Sequence, residues 1–319
     1  MSGFDIGTCK WIIWGAKSPY NTFGHIHEAF LRALKYLGKD VLWLDKGDDF
    51  SGVDFSNTLF LSMDCVLDGM PQHRDALYFI HNGDNPQYRK YIQDLDVIVY
   101  GVHISAQISE LGCARPTQYG SNVVSLGPDI YFDLSSRTML LRWGTNLLPH
   151  EIEANKPSRS FNSDSRVVNY IGTVDASNRN QIEGFAKACR ESGIAFEYGG
   201  GYSGGTAVVS EEDHVRRIKE SYLAPAIQRM DQVDSGYVPC RLFKNISYGQ
   251  FGITHNAHAN ILFNDRLIYN PDTYRLFYEA RERLQSTPVS ELHSLMDEVA
   301  QKHTFLNKIS AFIQAARML

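Results

Sequence analysis

Short apolar runs separated by polar, glycine-punctuated stretches dominate the first half of the chain. Lys10-Trp11-Ile12-Ile13-Trp14 closes on Gly15 and reads as a buried strand. A polar loop covers residues 16–24. Ile26, Ala29, Phe30, Ala33, Leu34 and Leu37 then recur at helical spacing, with Gly38 at the stop. Residues 41–45, 58–62, 76–81 and 97–101 repeat the strand pattern. Strands that are apolar throughout, divided by helical or polar segments, predict a parallel sheet with covering helices.

The pattern breaks near residue 149. Residues 151–165 are polar and poor in large apolar side chains, the composition of a linker. A second alternation follows. Residues 166–172 form a strand ending in glycine, and Asn178 with Gln181 resembles a capping box. Ile182, Phe185, Ala186 and Cys189 give a helical stripe that stops at Gly193. Residues 194–198 read as a strand, the glycine cluster 199–205 as a loop, and 210–222 as a helix. Residues 287–319 are helical with a break at Lys302-His303-Thr304. The predicted class is α/β, with two Rossmann-like domains facing across a cleft. The first spans 1–152, a linker 153–165, the second 166–302, and a last helix, 303–319, returns to the first domain. In such sheets ligands bind at the carboxyl ends of the strands.

Composition narrows the function. The 319 residues carry a net charge of −5 and lack a basic run, which excludes a general electrostatic nucleic-acid binder. An anionic ligand would need a local pocket. No amino-terminal signal pattern and no apolar run near the length of a membrane span are visible. The five cysteines are widely spaced and form no C-x-x-C, which argues against a disulfide framework or zinc site and for a cytoplasmic setting.

The segment Gly236-Tyr237-Val238-Pro239-Cys240-Arg241-Leu242-Phe243-Lys244-Asn245-Ile246-Ser247-Tyr248-Gly249 carries the most chemistry. Read as a helix, it places Arg241, Lys244, Asn245 and Tyr248 on one face and Leu242, Phe243 and Ile246 on the other. It contains no carboxylate. The polar face is either a solvated surface or a diphosphate grip, with Arg241 bidentate, Lys244 a point charge, and Asn245 and Tyr248 orienting. Gly172-Thr173 is a second candidate phosphate contact, through main-chain N–H groups of a strand–glycine–helix turn. Asp94-Leu95-Asp96 has a metal-motif spacing but precedes its strand, so it reads as a junction. No metal ligand set is assigned.

Residues 236–253 resemble the donor-binding segment of nucleotide-sugar glycosyltransferases with two Rossmann domains (the GT-B layout). The nearest pattern is that of alpha-1,3-fucosyltransferases, with a related one in exostosin-type transferases. The resemblance implies that Tyr237, Arg241, Lys244 and Asn245 meet the donor. It also implies that the last helix crosses back to the first domain. Cys240 stands where the family has an acid, and Thr254 follows Ile253 where the family has proline.

His25, His27 and Glu28 follow the first strand, where such a transferase presents its acceptor-side base. An attacking hydroxyl needs a base near neutral pH, and His25 leads this group. A core or capping role is the competing reading. The expected activity is transfer of a sugar from a GDP- or UDP-type nucleotide-diphosphate sugar to a glycan or other hydroxyl acceptor. It is expected to be inverting, with no obligatory cofactor or metal. Two alternatives share the fold: a nucleotide-sugar epimerase and a non-catalytic nucleotide-sugar binding protein.

Overall fold

The computed structural model describes residues 4–17, 22–83, 85–102, 122–199 and 210–319. The fold is α/β, and contacts divide the chain into two compact units. The first comprises described residues up to 141 together with 305–319, and the second comprises 142–304.

The first unit runs β1 (Lys10–Trp14), α1 (Thr22–Tyr36), β2 (Val41–Leu44), β3 (Thr58–Met63), β4 (Ala76–His81), β5 (Asp96–Gly101), β6 (Val123–Gly127), β7 (Ile130–Asp133) and β8 (Thr138–Leu140). These strands form one sheet in the order β2-β1-β3-β4-β5-β8-β7-β6. Strands β2 to β8 in that order are parallel, and β7 and β6 close the sheet antiparallel. Every residue of β3 and β4 is buried, which is why their sequences are apolar without alternation.

The two faces of this sheet are covered by different means. On one face α1 packs its Phe30 against Phe305 and Phe312. Phe312 also meets Phe79 and Tyr100 of the sheet. On the other face Ile12, Trp14, Phe60, Tyr78 and Ile80 are covered by Phe50, Phe55, Tyr88 and Tyr91, which lie outside α-helices. Phe60 stacks on Tyr78 with centroids 4.7 Å apart, and Trp14 meets Phe50 edge-on at 5.7 Å. The expected covering helices are therefore replaced here by aromatic-bearing loops and two single 3-10 turns, Asp64–Val66 and Arg89–Tyr91. The intervening segments are rich in Asp, Asn, Gly and Pro, which favour turns over helix.

The second unit runs α2 (Pro149–Ala154), β9 (Val167–Ile171), α3 (Arg179–Glu191), β10 (Ala195–Gly199), α4 (Glu211–Glu220), β11 (Pro225–Ala226), α5 (Met230–Asp234), α6 (Cys240–Ser247), β12 (Ile253–Thr254), α7 (Ala257–Leu262), β13 (Ile268–Tyr269), α8 (Thr273–Ser286) and α9 (Val289–Lys302). Its strands are parallel but fall into two ladders, β10-β9 and β11-β12-β13. The polar segment 155–165 lies inside this unit. Phe161 packs edge-on against Tyr222, Ser160 Oγ donates to Thr287 O at 2.6 Å, and Pro157 O meets His293 Nε2 at 2.8 Å. Hydrogen bonds of this kind contribute about 0.5–1.5 kcal/mol each and hold a polar segment in place together with the buried ring. Of the glycine cluster, residues 200–205 lie outside the described residues.

The final helix, α10 (Phe305–Ala316), belongs to the first unit, where Phe312 occupies the centre of an aromatic cluster. Phe312→Ala should lower the unfolding free energy by about 3–5 kcal/mol, read from chemical denaturation. A loss below ~1 kcal/mol would mean that this cluster does not anchor the helix.

Candidate functional site

The carboxyl ends of β9 and β11 meet at one side chain. Arg241, on the first turn of α6, donates Nε–H to Ile171 O at 2.9 Å. Its Nη1 donates to Ile227 O and to the Tyr170 hydroxyl, each at 2.7 Å. Ile171 ends β9 and Ile227 follows β11, so the guanidinium spans strand ends that no ladder joins. The Tyr170 ring lies beneath it, with Cζ 4.4 Å from the centroid. Gly172 lies against Nη2, and a Cβ there would overlap the guanidinium. Gly172 also has φ of +150°, a region that side chains avoid. Arg241 forms no ion pair among the described residues, and Nη2 has no hydrogen-bond partner among them.

Lys244 lies one turn further along the same face. It is half-buried, and its ammonium has neither hydrogen bond nor ion pair among the described residues. Arg241 at the strand ends and Lys244 one helical turn along α6 are thus two cations without a carboxylate partner among the described residues. Removing charge from water without a partner is costly, so such a pair favours an anion.

The remaining residues of the expected grip are committed to the protein. Asn245 is buried, and its Nδ2 donates to Ala224 O at 2.9 Å, while its Oδ1 has no hydrogen-bond partner among the described residues. Tyr248 is buried, donates to Asn146 Oδ1 at 3.3 Å and meets the His214 ring edge-on. Both are turned inward because the helix is buried on both sides. On the opposite side, Phe243 packs on His303 with ring centroids 4.9 Å apart. Tyr237 is half-buried, and its hydroxyl accepts from Trp143. Burial raises the Tyr237 pKa and keeps the phenol protonated.

The Gly172-Thr173 turn is also engaged. Gly172 N–H donates to Gly199 O at 2.8 Å, and Thr173 O accepts from Asn178 Nδ2 at 2.9 Å. The expected main-chain cradle at Gly172 is therefore already used to tie β9 to β10. What this turn offers an anion is close approach to the Arg241 Nη2 group. Cys240 is half-buried at the first position of α6.

In the first unit, His25 and Glu28 are exposed on the first turns of α1, after β1. His27 is not with them. It is fully buried, with Nδ1 2.9 Å from Gly15 O and its ring edge-on to Trp43. Burial lowers its pKa to about 4, against the weaker pull of the Gly15 carbonyl and Asp45. A surface acid–base role assigned to His27 is thereby corrected: it is a core residue. The Asp94-Leu95-Asp96 junction is a strand start, with Asp96 paired to Arg137.

Several residues at the strand ends were not foreseen from the sequence. Gln228 follows β11, and His255 and Asn256 follow β12. Gln228 Nε2 and Asn256 Nδ2 both donate to Tyr237 O, at 3.0 and 2.7 Å. Asn256 Oδ1 caps α7 by accepting from His258 N at 2.9 Å and from Ala259 N. The signal was the polar run Thr254-His255-Asn256-Ala257-His258 directly after an apolar strand.

No protein-family model and no curated protein matches this sequence. Among solved structures, the chain is similar to the N-terminal domain of Candida albicans trehalose-6-phosphate phosphatase, with a TM-score of 0.51 and 11% identity. The match covers 92% of this chain and 76% of that one. At this identity the likeness shows the α/β fold alone.

Gly172→Ala should destabilise the protein by roughly 2–4 kcal/mol, through overlap with the guanidinium and strain at positive φ. Combined with Arg241→Ala, the loss should be clearly less than the sum of the two single losses, as measured in a double-mutant cycle. Additive losses would separate the two residues. For His27, the folded pKa lies below the ordinary value near 6.5. Unfolding therefore takes up a proton between those values, and its contribution to stability, complete above pH ~6.5, is lost as pH falls toward 4. The loss is on the order of 3 kcal/mol. Denaturation of His27→Gln across this window should show a shallower pH slope than the parent, and an identical slope would contradict the assignment.

Proposed function

We propose that the second unit binds a nucleotide-diphosphate sugar at the carboxyl ends of β9 and β11, and that the protein is a glycosyltransferase. One observation carries this reading. Arg241 and Lys244 are half-buried cations one helical turn apart, without a carboxylate partner among the described residues, and Arg241 lies against the strand-end Gly172. A diphosphate presents charge and acceptors over that span, and the Nη2 group and the Lys244 ammonium are the donors available to it. The segment's resemblance to nucleotide-sugar transferases supports the same ligand.

In this reading the acceptor oxygen attacks the anomeric carbon of the donor. The carbon–oxygen bond to the β-phosphate breaks, and its electron pair leaves with the nucleoside diphosphate. Arg241 and Lys244 stabilise that developing charge, which is where fixed cations accelerate a reaction most. The proton of the acceptor hydroxyl passes to a base. The first unit offers His25, exposed at the start of α1 with Glu28 one turn away, as a side chain of suitable chemistry for that role. A single displacement inverts the anomeric centre. Among the described residues no helix is long and apolar enough to cross a membrane. Cys9, Cys65, Cys189 and Cys240 are free thiols, which suits a reducing compartment such as the cytoplasm.

A thermal-shift screen with UDP, GDP, CMP and dTDP should raise the midpoint with at least one diphosphate and not with CMP. Lys244→Ala should weaken that binding roughly 10- to 100-fold, the loss of one charge-assisted contact, with little change in the unliganded midpoint. No shift with any nucleotide, or an unchanged affinity in the variant, would overturn the site. With sugar nucleotides alone, an isomerised donor would overturn transfer in favour of epimerisation.

A further inference from the structure

Next to the cationic strand ends lies a second group of a different character. Gln228 is 3% exposed and His255 2% exposed, at the carboxyl ends of β11 and β12. Gln228 Oε1 has no hydrogen-bond partner among the described residues, and neither ring nitrogen of His255 makes a well-aligned bond, although the main-chain carbonyl of Gln228 approaches its ring. The Gln228 amide cannot simply turn to repair this, because its Nε2 is held by Tyr237 O. The same carbonyl holds Asn256, the neighbour of His255. His258, half-buried one helical turn on, likewise leaves Nδ1 buried and unpartnered among those residues. Unmade hydrogen bonds of this kind each cost on the order of 1–3 kcal/mol, so Gln228 and His255 at the strand ends, with His258 on the helix that follows, call for an occupant.

The chemistry of the group defines that occupant. Burial lowers the His255 pKa to about 4, although the main-chain carbonyl of Gln228 approaches the ring and favours the proton. Burial and the Arg142 charge lower that of His258, with Asp234 opposing. At neutral pH each imidazole therefore has one N–H and one lone pair, while Gln228 Oε1 only accepts. The three side chains are themselves uncharged and offer both donors and acceptors, with the opposed charges of Arg142 and Asp234 near His258. The cluster does not suit a phosphate, which only accepts. It suits adjacent hydroxyls, each of which donates and accepts.

We infer that Gln228, His255 and His258 form a subsite for the uncharged, hydroxyl-bearing sugar of the donor, separate from the cations that hold its diphosphate. This rests on the donor reading above. The two parts adjoin in the chain, since Ile227, whose carbonyl holds Arg241, immediately precedes Gln228. A nucleobase edge also mixes donors and acceptors, and buried water could fill the same positions. Both are outcomes of the test.

Calorimetric titrations of the full chain with UDP, GDP, UDP-glucose and GDP-fucose distinguish them. Gln228→Met and His255→Phe should weaken a nucleotide sugar roughly tenfold or more and leave the bare diphosphate unchanged, whereas Lys244→Ala weakens both. His255→Gln, which keeps a donor and an acceptor, should recover part of the loss and serves where the phenylalanine variant fails to fold. Equal weakening of sugar nucleotide and bare nucleotide would assign the cluster to the base and overturn the inference. Unchanged affinities with a raised thermal midpoint would assign it to water and overturn the inference as well. If the parent protein binds neither diphosphates nor their sugars, the donor reading itself fails and the subsite fails with it.

Discussion

In the second unit one guanidinium ties together the carboxyl ends of two strand ladders that share a single apolar core. The unit's five described strands form two ladders, and β9 and β11 share no backbone pairing that would make them one sheet. Arg241 supplies the connection at their carboxyl ends with three hydrogen bonds, to the last carbonyl of β9, the first carbonyl after β11 and the Tyr170 hydroxyl. Arginine suits this position because its planar fork donates in several fixed directions and its face rests on an aromatic ring. Lysine, a single point of charge, could not span both strand ends. Gly172 is coupled to it, since any side chain there would occupy the guanidinium's place.

This constraint also shapes the chemistry. A cation hydrogen-bonded only to neutral oxygens keeps its charge uncompensated. With Lys244 one turn away, the strand ends carry an electrostatic demand that the described residues do not meet. The same residue therefore ties the strand ends together and gives the unit an anion-favouring edge. Beyond Ile227 the edge changes to the neutral donors and acceptors of Gln228, His255 and His258. A ligand with a charged part and a hydroxylated part matches that sequence of environments.

Much of this architecture was legible in the residues. β1, β3 and β4 are buried on both faces, so their apolar runs were unmistakable, and α1 and α3 showed their stripes and glycine stops. The break at 302–304 between α9 and α10 was visible as well. The antiparallel strands β6 and β7 were missed because β6 is mostly half-buried and leaves little pattern, and β7 is only four residues long. β11 and β13 are two residues each, too short to carry a period. The site was legible in composition but not in direction. Asn245 and Tyr248 share the polar face of α6, yet that face meets carbonyls and rings rather than solvent. A polar residue satisfied by main chain and one waiting for a ligand look alike in sequence. His27 illustrates the same limit, since its partner is the Gly15 carbonyl of a preceding turn.

The central claim is that Arg241, at the ends of β9 and β11, and Lys244, one helical turn along α6, hold a diphosphate. Its most direct test is the crystal structure of the protein with the nucleoside diphosphate that binds it best. Phosphate oxygens are expected within about 3 Å of Arg241 Nη2 and the Lys244 ammonium, beside Gly172. A nucleotide bound elsewhere, with both cations still unpartnered, would contradict the claim.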